Sequence, residues 1–183
     1  MKKTITLLML ALAALAASAE RFAPATGSIV KIEGTSTLHD WSMEGSTING
    51  RIDNTNGTSS VIVTIPVASI KSEHTKMDKL MADALKAKQF PDIRYELTQA
   101  APQNGNASFT IRTQGKLTIA GVTRDVTMDV QGLRAADGKY TLTATVPLKM
   151  TAFGIKPPAA MLNTIRTGDD VKVTFRWVVE KTN

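Results

Sequence analysis

The sequence predicts an all-β domain with one amphipathic helix, folded as an antiparallel barrel of about eight strands. Three observations carry that expectation. Apolar and polar residues alternate with period 2 along most of the chain, one segment alone switches to helical spacing, and no cysteine is present to staple a small core.

The clearest strands lie in the second half. Over 107–119 the odd positions Phe109, Ile111, Leu117 and Ile119 are apolar, while Thr110, Arg112, Gln114, Lys116 and Thr118 point to the opposite face. Val126, Met128 and Val130 alternate with Thr127, Asp129 and Gln131. Tyr140, Leu142, Ala144, Val146 and Leu148 then alternate with Thr141, Thr143, Thr145 and Lys149. Between these two strands Asp137-Gly138 is a hairpin signal, because Gly takes a positive φ at no steric cost. The last strand sets Val171, Val173, Phe175, Trp177 and Val179 against Lys172, Thr174, Arg176 and Glu180. Four consecutive strands therefore form a meander with one apolar face.

The first half repeats the pattern less cleanly. Val30 and Ile32, Ile48 and Ile52, then Val61, Val63, Ile65 and Val67 mark apolar phases, and Ile93, Tyr95 and Leu97 open the strand that follows Phe90-Pro91. Asn54 to Ser59 supplies turn chemistry between two of them. From His74 to Lys88 the apolar residues Met77, Leu80, Met81, Ala84 and Leu85 recur at i, i+3, i+4, i+7 and i+8, the stripe of a single amphipathic helix. Pro91 closes that segment. Eight or so strands with one shared apolar face bury it as a sandwich or a closed barrel, and the meander order with its lone helix favours the barrel. At that strand number the interior is just wide enough to be filled by side chains or to hold one slender ligand.

The N-terminus carries Lys2 and Lys3, an apolar run from Ile5 to Ala17, and the small residues Ala17-Ser18-Ala19 before Glu20-Arg21. That order predicts a signal peptide over 1–19, cleaved after Ala19, and an exported domain over 20–183 in the periplasm or outside the cell. The apolar run is short and Ala-rich for an anchor, and no Cys follows it to carry a lipid. Formal charge is +6; without Lys2 and Lys3, 20 Lys and Arg face 16 Asp and Glu. The cations are scattered singly, with neither a basic block nor an aromatic stacking run, which argues against nucleic acid. Such a distribution is compatible with transient contact with an anionic membrane surface.

Catalytic chemistry is sparse. Only His39 and His74 could join carboxylates at a metal, and their spacing does not bring them together, so neither metal nor cofactor is expected. The segment Gly34-Thr35-Ser36-Thr37-Leu38-His39-Asp40-Trp41 is the one dense polar and aromatic cluster. Neighbours on a strand point to opposite faces, so His39 and Asp40 make a poor dyad. A strand bend is the simpler reading, with Ser and Thr hydroxyls and Asp40 satisfying the backbone and the Trp41 N–H paired. Methionines on the helix stripe suit a pocket for a loose apolar chain, and the segment from Met150 to Leu162 is either a flap or a long outer connection.

Several stretches in succession resemble the YceI-like family: Gly34-Thr35-Ser36-Thr37-Leu38, Ile48-Asn49-Gly50-Arg51-Ile52, Ala87-Lys88-Gln89-Phe90-Pro91-Asp92-Ile93, Gly115-Lys116-Leu117-Thr118-Ile119-Ala120-Gly121-Val122-Thr123-Arg124-Asp125-Val126, and Phe153-Gly154-Ile155. The His39-Asp40-Trp41 segment and the Lys156-Pro157-Pro158 loop depart from the family pattern. The resemblance implies a lipocalin-like antiparallel barrel in the periplasm that binds a polyisoprenoid or similar amphiphilic lipid, and it transfers no fixed polar motif. The expected function is non-enzymatic lipid binding. The candidate contact residues are Trp41, Met77, Met81, Phe90, Tyr95, Phe109, Ile111, Met128, Leu142, Val146, Phe153, Phe175 and Trp177. Two alternatives remain open: an envelope-stress or interaction module with a filled barrel, whose outer strands or loop over 156–164 bind another envelope protein, and an enzyme using His39; a homodimer is compatible with any of these readings.

Overall fold

The computed structural model describes residues 19–55, 57–101, 107–160 and 164–182. The first-half strands are β1 (Ala19–Pro24), β2 (Ile29–Ser36), β3 (Trp41–Gly45), β4 (Asn49–Thr55), β5 (Thr58–Pro66) and β6 (Ile70–Lys71). Helix α1 (Thr75–Ala84) follows, and then β7 (Asp92–Ala100), β8 (Ser108–Ile119), β9 (Val122–Arg134), β10 (Tyr140–Lys149), β11 (Ala159–Ala160) and β12 (Ile165–Thr182). All pairings are antiparallel, and β12 pairs with β10 along one edge and with both β1 and β2 along the other.

These segments make eight staves of a closed up-and-down barrel. Three staves are interrupted: β1 continues into β2, β3 into β4, and β5 into β6 through a 3-10 turn at Val67–Ser69. The two halves of each broken stave pair with the corresponding halves of the next, β2 with β3 and β3 with β6, β1 with β4 and β4 with β5. From there β7, β8, β9, β10 and β12 follow in chain order. The expected barrel and its meander are thus present, and the weaker alternation of the first half reflects staves that break midway.

The first break shows how a closed sheet tolerates an insertion. Between the pairs Pro24↔Val179 and Ile29↔Arg176, two extra residues stand on the β1–β2 side. Ser28 fills the gap in the ladder: its buried hydroxyl accepts the Val178 N–H at 3.0 Å, and the Ala25 N–H donates to Val178 O at 2.8 Å. A side-chain oxygen thereby replaces a backbone acceptor.

Turns, α1 and connecting loops collect at one end of the barrel. The β8–β9 hairpin turns there on Ala120 and Gly121, both with positive φ (50° and 80°), as a two-residue hairpin turn of the tightest type requires. Helix α1 crosses the same end. Its first turn is tied to the barrel by Asp78, which accepts the Ser72 N–H at 2.7 Å and hydroxyl at 2.8 Å. Those two bonds, backbone first, lower the Asp78 pKa below the ordinary carboxylate value.

The helix is shorter than the stripe over 74–88 predicts. It ends at Ala84 because Lys86 takes a left-handed conformation (φ 53°), with Lys86 N–H donating to Asp83 O and Ala87 N–H to Ala82 O. This is a Schellman cap with lysine in the position that glycine usually holds, so the usual stop signal is missing from the sequence. Leu85 still continues the apolar face beyond the helix.

Substituting Ser28 by Ala leaves the Val178 N–H buried without a partner. We expect a loss of about 1–3 kcal/mol of unfolding free energy with an unchanged denaturant slope, read from urea titration.

Candidate functional site

The inward phase of every stave converges on one long cavity of about 730 Å³ that runs through the barrel. Its wall holds the apolar positions that alternation marks: Val30 and Ile32, Ile48 and Ile52, Val61 to Ile65, Ile93 to Leu97, Phe109 and Ile111, Val126 to Val130, Leu142 and Val146, Val171 to Val179. Acidic and basic lining side chains occur only toward the ends. Glu20 lies near the end where the chain closes, and His39, His74, Lys76 and Lys149 lie at the helix end. A volume of this size falls in the range that encloses a small organic molecule.

An eight-stave barrel this apolar would fill itself unless its large rings were held to the wall. Glycines at inward positions do this. Gly34, Gly50, Gly115 and Gly132 continue the inward phase of their strands, and against each lies an aromatic ring from an adjacent stave or across the curve of the wall: Trp41, Trp177, Tyr95 and Phe109 respectively. A Cβ at Gly34, Gly115 or Gly132 would overlap the ring it faces. The missing side chains are the recesses in which the rings lie flat.

The rings are fixed further by local bonds. The Trp41 indole N–H donates to Thr35 O at 3.0 Å. Phe22 meets Tyr140 edge-on with centroids 5.5 Å apart, and the Arg134 guanidinium lies over the Tyr140 ring at 5.9 Å. Among the described residues, Tyr95 Oη and Trp177 Nε1 are the buried side-chain polar atoms without a hydrogen-bond partner, and both are covered by packed neighbours. Burial raises the Tyr95 phenol pKa above its ordinary value, with the Thr113 hydroxyl acting in the opposite sense. The wall therefore presents almost no polar handle.

At the helix end the apolar stripe of α1 faces the cavity, with Met77, Leu80, Met81, Ala84 and Leu85 all in its lining. Phe153 and Ile155 are buried beside Ile119 and Ala120, on which Ala84 and Leu85 also pack. The segment from Met150 onward begins as a 3-10 turn and lines the cavity through Met150, Phe153, Ile155, Pro158 and Ala159, so it is wall and not an outer connection. Asp169 anchors it by accepting the Thr151 N–H at 2.8 Å and hydroxyl at 2.7 Å, and these bonds lower the Asp169 pKa. Residues 161–163 of the predicted flap, Met161 among them, lie outside the described residues.

Twelve of the thirteen predicted contact residues line this one cavity: Trp41, Met77, Met81, Tyr95, Phe109, Ile111, Met128, Leu142, Val146, Phe153, Phe175 and Trp177. Phe90 does not. Its ring covers Gly121 at the outer corner of the β8–β9 hairpin, because the chain reverses between α1 and β7 before the inward phase of β7 begins. The rim residues Leu38, His74 and Lys76 were not expected in the lining, and no periodicity marks them, since they stand on turns or a helix end. The recesses did carry a signal: a glycine at an inward position of an otherwise apolar phase.

The bend at 36–40 follows the simpler reading of that cluster, with one change. Ser36 Oγ accepts the Leu38 and His39 N–H groups at 3.2 Å and donates to His39 O at 2.7 Å, while Thr37 Oγ1 donates to Thr164 O and accepts the Arg166 N–H. The hydroxyls do the work assigned in part to Asp40. The His39 ring is exposed at the rim, with Nδ1 2.6 Å from Asp40 O, so its near partner is a carbonyl and not the Asp40 carboxylate.

A YceI-like domain model matches residues 18–179, nearly the whole described chain. The chain belongs to the YceI-like family. Solved structures share its fold at low identity. BcnA of Burkholderia cenocepacia is 22% identical with a TM-score of 0.67, over 82% of this chain and 95% of that one. A polyisoprenoid-binding domain from Saccharophagus degradans, implicated in plant cell wall breakdown, is 15% identical with a TM-score of 0.73, over 88% and 98%. The YceI protein of Campylobacter jejuni is 21% identical with a TM-score of 0.59, over 77% and 84%. No match is found among curated protein sequences.

Substituting Gly132 by Ala in this YceI-like barrel displaces the Phe109 ring from its recess into the lumen. The expected result is a smaller cavity in a crystal structure and a melting temperature lowered by several degrees, consistent with about 1–3 kcal/mol of overpacking.

Proposed function

We propose that this protein is an exported, non-enzymatic carrier that holds a polyisoprenoid or a similar long apolar or amphiphilic molecule in its barrel lumen. The observation that carries the reading is the lumen itself: a continuous apolar cavity of about 730 Å³ whose aromatic rings lie recessed over glycine and not across its axis. A barrel whose only role is to be a solid scaffold has no use for such recesses. Membership of the YceI-like family and the fold shared with a polyisoprenoid-binding domain support the ligand class.

The energetics suit a long chain. Each methylene taken from water into the lumen contributes about 0.8 kcal/mol, roughly fourfold in affinity. With no polar handle on the wall, affinity rises with chain length until the cavity is full. Export fits this role, because a water-insoluble chain needs shielding in the aqueous space beside a membrane. Cleavage after Ala19 removes one residue of β1 and leaves the pairs from Glu20↔Asn54 onward intact, so the predicted processing site and the barrel are compatible. His39 and His74 on the rim add no acid–base pair to the lumen.

Native mass spectrometry of the processed protein, gently extracted from the envelope of its source cell, tests the reading. The expected result is a bound mass of lipid character, with affinity for isoprenoid alcohols rising with the number of isoprene units. Reproducibly ligand-free protein that gains nothing from chain length would sink it. A Val63→Trp variant, which places an indole inside the lumen, should weaken binding of long chains by about tenfold or more while sparing short ones, with circular dichroism confirming the barrel.

A further inference from the structure

The lysines of this chain divide by position. Six stand on or beside β2, β8, β10 and β12, namely Lys31, Lys116, Lys139, Lys149, Lys172 and Lys181, and each meets a carboxylate at 2.7–3.2 Å. The other six described lysines, Lys71, Lys76, Lys79, Lys86, Lys88 and Lys156, are exposed and form no ion pair. All six lie at the helix end, around the mouth lined by His39, His74 and Lys76.

The same mouth carries Leu38, which is 67% exposed. A lone exposed leucine is ordinary, but this one is part of the rim of an apolar cavity and still keeps most of its surface exposed. The Ser36 hydroxyl closes its turn by accepting the Leu38 N–H, and Thr37 pins that turn to the backbone at 164–166. Trp41 is held behind it by Thr35. An apolar side chain is thus left exposed at the mouth on a fixed support, at the same end as long cations that form no ion pair.

We propose that the helix end of the barrel docks on an anionic lipid bilayer, with Leu38 entering the headgroup layer and the unpaired lysines on lipid phosphates. This rests on the lumen being a lipid site, since the docked end is where the lumen then meets the membrane. Carboxylates are interspersed at this end (Asp40, Glu73, Asp78, Asp83, Asp92 and Asp169), and Glu44 stands across the ladder from Lys71, so the attraction is short-ranged and not a field of net charge. A lysine reaches a phosphate plane on its four-carbon stem, whereas aspartate stays close to its own backbone. Each lysine near an anionic surface adds roughly fivefold to partitioning.

The test is sedimentation of the processed protein with vesicles of phosphatidylcholine alone or mixed with phosphatidylglycerol. Wild type should partition onto the anionic vesicles and be released by salt. The triple variant Lys71→Gln, Lys76→Gln, Lys79→Gln should lose about tenfold or more. The triple Lys116→Gln, Lys139→Gln, Lys181→Gln, with the same change in charge on the barrel wall, should lose much less. Leu38→Gln should lose about fivefold, while Leu133→Gln, 55% exposed at the opposite end of the barrel, should change nothing. Wild type that ignores anionic vesicles, or equal losses within either pair of variants, overturns the proposal. Mass spectrometry of the same samples separates it from the lumen reading. A lipid-loaded protein with equal losses refutes docking alone, whereas a ligand-free protein that shows the expected pattern refutes the lumen reading alone.

Discussion

The structure depends on the two edges of one strand. Along its 18 residues β12 pairs with β10 on one side, and on the other with β2 through Ile29 to Ser36 and with β1 through Arg21 to Pro24. That double engagement joins the last stave to the first and closes the barrel, with the β9–β10 seam laddered only from Gln131 to Arg134 and Tyr140 to Thr143, so a chain without cysteine holds its sheet together without a disulfide. Closure also fixes the number of staves at eight, and the number of staves fixes the width of the lumen.

Closure at eight staves brings a problem that the glycines answer. A barrel of that width is readily filled by its own side chains, and this one carries Trp41, Tyr95, Phe109, Phe175 and Trp177 on its inner face. Rings pointed at the axis would meet. Laid over Gly34, Gly115, Gly132 and Gly50, four of them keep their contact area with the wall and leave the axis free. The recesses cost strand propensity at each glycine, about 0.5–1 kcal/mol relative to alanine, and the ring packed over it returns apolar contact to the sheet. Two polar atoms, Tyr95 Oη and Trp177 Nε1, stay unpaired in the process.

Much of this was legible in the sequence. Side-chain parity along a strand is a local property, so Phe109 and Ile111, Met128, Leu142 and Val146, and Phe175 and Trp177 could be assigned to one face with no knowledge of their neighbours. The stripe of α1 was equally legible, as far as the left-handed Lys86 that ended it early. What escaped was non-local or unsigned. The broken staves depend on how β1 and β2 share β12, which no window of sequence contains. Phe90 carries the composition of a lining residue, but a chain reversal places it on Gly121 outside the wall. The bend at 36–40 was recognised as a bend, yet its position on the rim, with Leu38 outward, follows from hydroxyl bonds to a segment more than 120 residues away.

The two ends of the lumen are chemically unlike, whereas the wall between them is uniform. An apolar wall discriminates by length and width, because methylenes are interchangeable there. Polar discrimination is confined to the collars. Near the closing end, Glu20 is neutralised by Lys181 at 2.7 Å, and Asn54 and Ser59 are bonded to each other at 2.7 Å. At the helix end, Lys149 is paired with Asp170, but the Lys76 ammonium and the two imidazoles form no ion pair. One collar therefore has its polar groups engaged with one another, while the other holds the Lys76 ammonium outside any ion pair and the His39 ring against the Asp40 carbonyl.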